Sequence, residues 1–148
     1  MTIRNITVHD AHANQSEGFT YVDVRSVPEF ASGHPENAVN VPLLHRDAGT
    51  GQMSPNNDFV SVMRANYSPD ARLMIGCQVG GRSVHAAHIL AQAGFLDIAN
   101  VLGGFGGGRD PMTGVARDGW QPAGLPVAIE RTPGQSYEAV RVKADQGK

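Results

Sequence analysis

The chain has a single thiol, Cys77, and its surroundings suit reactive chemistry. Residues 73–83 read Leu-Met-Ile-Gly-Cys-Gln-Val-Gly-Gly-Arg-Ser. An apolar run with strand character ends at the cysteine, glycines permit a sharp turn, and Arg82 and Ser83 open a segment of helical spacing. A thiol at the carboxyl end of a strand and the start of a helix meets backbone N–H groups that lack intrahelical partners. That field, with Arg82 as the nearest cation in sequence, favours a negative charge on sulfur. It also favours a covalent adduct carrying negative charge at the same place. The plain alternative is a buried cysteine serving as a small apolar residue.

Other residues could border such a site. Asp23 and Arg25 lie at the end of another predicted strand, in "Asp-Val-Arg". They either line the site or form an ion pair that orders the strand end. Arg82 either adds positive potential to the pocket or pairs with an acid such as Asp23 or Glu29, since a guanidinium suits both roles. His85 and His88, three apart on the predicted helix, are surface neighbours. Zinc usually takes three or four protein ligands, so these histidines are expected to be solvated or packed, with no metal and no cofactor. His34 and His45 could lie near the site, and Trp120 and Phe105 are expected to pack in the interior.

Elements must place these groups. Short β-rich runs occur at "TIRNI", "TYVDVR", "AVNVP", "RLMIGC" and "DIANVLGG", separated by segments of helical character. This alternation predicts an α/β fold with an open, mostly parallel sheet and helices on both faces. Thr7 with Asp10, and Ser26 with Glu29, have the spacing of helix N-terminal caps. Ser54 and Pro55 suit a cap and first helical position, with Phe59, Val62 and Met63 along one face. After the thiol, Val84, Ala87, Leu90 and Ala91 mark a helix over residues 83–93, and Gly94 suits its left-handed end. Residues 103–124, rich in glycine, read as a long surface connection, and the length points to ligand access.

The 148 residues suit one domain, expected over residues 1–130, followed by a polar C-terminal tail at 131–148 that packs only in part. A formal net charge of −2 provides no basic field for nucleic acid or an anionic membrane. No apolar run approaches a membrane span and the N-terminus lacks a signal-like core, so a cytoplasmic setting is expected. One cysteine allows no internal disulfide.

The stretch "CQVGGRS" resembles the active-site loop of rhodanese-type sulfurtransferases, which reads Cys-x-x-Gly-x-Arg-Ser in many members. Upstream, "YVDVRSVPEFASGHPENAVNVP" is similar to the family's Asp-Val-Arg, Glu-Phe, Gly-His and Ala-x-Asn-hydrophobic-Pro signature. Downstream, "NVLGGFGGG" and "GWQPAGLPV" resemble its closing elements. Two departures are "GHPENA" in place of the more usual Gly-His-Ile-Pro-Gly-Ala, and an insertion at residues 108–118.

The resemblance implies a Cys77 thiolate that takes sulfur from a donor such as thiosulfate, becomes a persulfide, and passes the sulfur to a thiol or cyanide acceptor. Backbone N–H groups of Gln78, Val79, Gly80, Gly81, Arg82 and Ser83 would bind the substrate sulfur. A protein acceptor is also possible, which would make the chain a persulfide carrier in a relay. The enzymatic rival is a phosphatase or arsenate reductase, whose Cys-to-Arg loop is one residue longer than the six residues from Cys77 to Arg82 here. Many rhodanese loops carry a basic residue directly after the cysteine. Gln78 is neutral, which implies weak binding of a dianion such as thiosulfate.

Overall fold

A computed structural model describes residues 3–47, 49–79, 81–129 and 135–146, with side chains of the last stretch described as far as Val142. In chain order the elements begin with β1 (Arg4–Ile6), α1 (Val8–Gln15), β2 (Thr20–Asp23), α2 (Val27–Ser32), β3 (His34–Pro35) and β4 (Val39–Asn40). They continue with β5 (Leu44–Arg46), β6 (Met53–Pro55), α3 (Phe59–Asn66), β7 (Arg72–Gly76), α4 (Gly81–Gln92) and β8 (Asp97–Val101). The last are β9 (Gly108–Arg109), β10 (Ala116–Arg117), β11 (Val127–Ala128) and α5 (Tyr137–Gln146).

Five strands form one sheet in the order β1-β8-β7-β2-β4, and every neighbouring pair is parallel. β7 is central, with Asp23 opposite Gly76 on one side and Asn100 opposite Ile75 on the other. Successive side chains alternate between faces, so each strand feeds two cores. Val22, Val24, Leu73, Ile75, Cys77 and Ile98 join the cluster built with Phe59, Val62 and Met63 of α3, Ala86, Ala87 and Leu90 of α4, and Tyr137 and Val140 of α5. Tyr21, Met74, Ala99 and Val101 join the opposite cluster with Val8, Ala11, Phe30, Phe105 and Trp120. The fold is therefore α/β, an open parallel sheet with helices on both faces. Near-continuous apolar strands are the sequence mark of such two-sided burial.

Both N-terminal caps form where the sequence places them. Asp10 N–H donates to Thr7 Oγ1 at 3.1 Å, and Thr7 N–H to the Asp10 carboxylate at 3.3 Å. The Ser26 N–H and hydroxyl both donate to Glu29 Oε1, at 3.1 and 2.9 Å. Gly94 takes a φ of +104° after α4, the backbone a glycine supplies at a helix end.

Three expectations are revised, and the C-terminal stretch gains detail. Ser54 and Pro55 do not start a helix; they lie in β6, paired with β5, and α3 starts after Asp58. Proline is tolerated in a two-stranded edge ribbon, and Asn56 Oδ1 accepts from Asp58 N–H at 3.0 Å in the turn that follows. The inward face of α4 carries Ser83 and Ala86, while Val84 is exposed. Hydrogen bonds described below draw the serine inside. Residues 103–124 are not wholly a surface connection: Gly103, Gly104, Phe105 and Trp120 are buried, and the exposed parts are the β9–β10 hairpin and residues 121–124. Within the stretch read as a polar tail, Tyr137–Gln146 forms α5 against α3, where Asn56 Nδ2 donates to the Tyr137 hydroxyl at 3.2 Å.

Candidate active site

The central strand delivers Cys77 to the carboxyl edge of the sheet, in the gap before α4. Tyr21 lies so close over Gly76 that a side chain there would collide with the phenol. Cys77 is 1% exposed. Its carbonyl accepts from Phe105 N–H at 2.8 Å, and that of Gln78 accepts from Gly106 N–H at 2.9 Å. Gly104, with φ +58°, runs directly beneath the Cys77 carbonyl, where a Cβ would clash. The glycine-rich segment is thus the backing of the loop.

On the helix side, Ser83 N–H donates to Cys77 Sγ at 3.3 Å, and the thiol lies 3.4 Å from Ser83 Oγ. The Ser83 hydroxyl donates to Asn100 Oδ1 at 2.7 Å, and Asn100 Nδ2 to Asn5 Oδ1 at 3.1 Å. Gly81 and Arg82 open α4, so their N–H groups have no intrahelical acceptor. Gly80 lies outside the described residues. Val79 is exposed at the turn, and Gln78 is half-buried. The geometry suits a sulfur nucleophile facing donors rather than a thiol enclosed only by apolar groups.

Of the two roles open to Arg82, pairing is the one adopted. Its Nη1 and Nη2 donate to the two carboxylate oxygens of Glu29 at 2.7 and 2.9 Å. These bonds, joined by those from Ser26, hold the Glu29 carboxyl at a pKa of about 2 against the opposing effect of burial. Asp23 and Arg25 form a second pair, with Arg25 Nη2 donating to Asp23 Oδ2 at 2.8 Å and both side chains buried. Arg25 also donates to the Gly33 carbonyl at 2.6 Å and through Nη1 to Gln78 Oε1 at 3.1 Å, and lies over the Phe105 ring. Among the described residues, the Asp23 carboxylate meets the loop through Arg25. Burial, then the Asp23 charge, pushes the Tyr21 phenol well above its ordinary range.

The remaining candidates lie elsewhere. His85 and His88 are exposed on α4, and no cluster of three metal-ligating side chains occurs among the described residues. His34 is buried, stacked on Phe30 at 3.7 Å, while His45 lies 5.6 Å from the Tyr137 ring. Trp120 is fully buried and donates Nε1–H to the Pro126 carbonyl at 2.7 Å. An apolar groove of about 430 Å³ between α3 and α4, walled by Leu44, Phe59, Val60 and Ile89, ends against Gly81 and Arg82. Sequence reasoning missed Asn100. Its signal was one amide within the buried run Ile98–Val101, a place where a polar group needs partners.

The family model described as "Rhodanese-like domain" matches residues 7–109. Thiosulfate sulfurtransferase 16, chloroplastic, of Arabidopsis thaliana is 37% identical over 101 residues, which are 68% of this chain and 82% of that protein. Protein HIGH ARSENIC CONTENT 1, mitochondrial, of the same plant is 31% identical over 131 residues, 88% of this chain and 75% of that one. The crystal structure of Rv0390 from M. tuberculosis superposes with a TM-score of 0.70 at 27% identity, covering 88% of this chain and all of that one. A parallel sheet that presents one cysteine at a helix start, together with these matches, places the chain in the rhodanese-like domain family.

Proposed function

We propose that the protein is a sulfurtransferase working through a Cys77 persulfide. The observation that carries this reading is the Cys77 sulfur set 3.3 Å from the Ser83 N–H at the head of α4. The Cys77 thiolate attacks the outer sulfur of a donor such as thiosulfate. A bond forms between Sγ and that sulfur, the donor S–S bond breaks, and sulfite leaves with the electron pair. A thiolate or cyanide acceptor then attacks the outer sulfur of the persulfide, and Cys77 departs as thiolate. N–H groups of Gly81, Arg82 and Ser83 hold the charged terminal sulfur. Thiosulfate is a weakly bound donor in this reading, because Arg82 and Arg25 are each committed to a carboxylate and Gln78 adds no charge. The relative named thiosulfate sulfurtransferase supports the donor class. The cytoplasm, where thiols stay reduced, is the compartment that suits a lone reactive thiol.

A second reading is oxyanion chemistry, arsenate reduction or phosphate-ester hydrolysis, favoured by the relative named for high arsenic content. The six-residue span from Cys77 to Arg82 is short for a tetrahedral oxyanion, and Arg82 is turned to Glu29. Intact-mass measurement after incubation with thiosulfate separates the readings. The proposal expects a gain of one sulfur atom, its loss on adding a thiol, and neither event in Cys77→Ser. Reduction of arsenate or hydrolysis of an aryl phosphate without sulfur loading would overturn it. Sustained turnover with a free thiol distinguishes an enzyme from a carrier, which discharges only to its protein partner.

A further inference from the structure

Asn100 is 1% exposed on β8, and Ser83 is fully buried on α4. A serine hydroxyl has one proton and two lone pairs. With Ser83 Oγ 2.7 Å from Asn100 Oδ1, that proton points toward β8. The lone pairs face Cys77, whose Sγ lies 3.4 Å away. The amide is turned to accept because its own Nδ2 donates to Asn5 Oδ1 at 3.1 Å.

We infer that Asn100 is a positioning residue for the nucleophile: by holding the Ser83 hydroxyl proton away from the sulfur, it makes that hydroxyl an acceptor for the thiol and so biases Cys77 toward its protonated form at rest. With Asn100 removed, the Cys77 sulfur 3.4 Å away becomes an acceptor within reach of that hydroxyl. A hydrogen bond donated to the charged form stabilises that form. Asn100 thereby restrains a thiol that the start of α4 activates. Among the described residues, the charged and titratable groups near this cluster are Tyr21, Asp23 and Arg25 from the β2 side, Glu29 from α2, and Arg82 from α4. His88, Asp110 and Arg117 line the cleft beyond Asn100. None of these groups is altered in the variants below.

The inference rests on the reading of Cys77 as nucleophile, and its test does not need sulfur transfer. The rate of Cys77 alkylation by iodoacetamide is followed against pH in wild type, Asn100→Leu, Ser83→Ala and the double variant. Asn100→Ala replaces Asn100→Leu if the larger side chain prevents folding. Asn100→Leu is expected to lower the midpoint by about half to one pH unit, and to have no effect in the Ser83→Ala background. An unchanged midpoint, or an equal shift without the serine hydroxyl, overturns the inference. Sulfur loading from thiosulfate is read on the same samples by mass. A serine-dependent shift without loading keeps the role of Asn100 and defeats the sulfurtransferase reading; loading without a shift does the reverse.

Discussion

Arg25 and Arg82 both stand beside the Cys77 loop and both fork onto a carboxylate, but the two pairs differ in setting. Arg25 and Asp23 have side chains only 3% and 1% exposed, while Arg82 and Glu29 are 23% and 26% exposed. The buried pair joins residues two apart in sequence and is enclosed by the Gly33 carbonyl, the Gln78 amide and the Phe105 ring. The rim pair joins α2 to α4 and shares its carboxylate with the Ser26 cap. A charge with no access to water depends on its partner for the fold to exist, whereas a half-exposed charge can fall back on solvent. The first pair is part of the floor and the second is a clamp on the loop.

The most direct way to break this contrast is Asp23→Ala. It leaves the Arg25 guanidinium buried beside neutral groups and is expected to cost about 3–5 kcal/mol in denaturant unfolding. A loss no greater than that of a rim variant would show that water reaches Arg25.

The rim counterpart is Glu29→Gln, expected to cost about 1–2 kcal/mol at neutral pH. The folded carboxyl sits at about 2 against an ordinary 4.5. The stabilisation from this pair is therefore fully present above pH 4.5 and lost as pH falls through about 2. The stability gap between wild type and variant should stay level from pH 7 to about 5, then close on further acidification. A gap that persists at pH 2 would assign the cost to a weakened Ser26 cap or altered packing instead of the ion pair.

The smallest effect concerns Gln78, through which the buried pair meets the loop. The Gln78 amide is occupied by Arg25 and packed against Gly106, so a basic side chain placed here would face a guanidinium. Gln78→Glu should tighten the contact with Arg25 yet raise the thiosulfate KM a few-fold at low ionic strength, since a charge at roughly 8 Å acts with up to about 2 kcal/mol before screening. The effect should shrink in 0.5 M salt. An unchanged KM would show that the charge at position 78 is compensated within the buried pair.

How much of this could be read in the sequence depended on whether the deciding contact was local. The Thr7 and Ser26 caps, the turn at Gly94 and the placement of Cys77 between β7 and α4 use neighbours within a few residues. The choice of Glu29 over Asp23 as partner for Arg82 depends on how α2 and α4 approach across 53 positions, which no spacing rule contains. Ser54 and Pro55 carry a helix-start signal that an edge ribbon accepts equally well. Ser83 looked like a helix opener and proved to be a core residue, because its partners Cys77 and Asn100 are on two separate strands or strand ends. In the last helix, polar composition concealed two anchors, Tyr137 and Val140.

The glycine segment behind the loop has a consequence for how this domain can vary. Phe105 and Gly106 donate to the Cys77 and Gln78 carbonyls, and Trp120 and Gln121 donate back to the carbonyls of Gly104 and Phe105. This double tie closes the base of the segment before the β9–β10 hairpin begins. The hairpin beyond it, with Met112 at 91% exposure, therefore hangs from a stitched seam. The tip around Met112 can be trimmed or exchanged for a foreign loop while the backing of the thiol stays in register, whereas Gly108 at the hairpin's root lies against the Val79 carbonyl and must stay small.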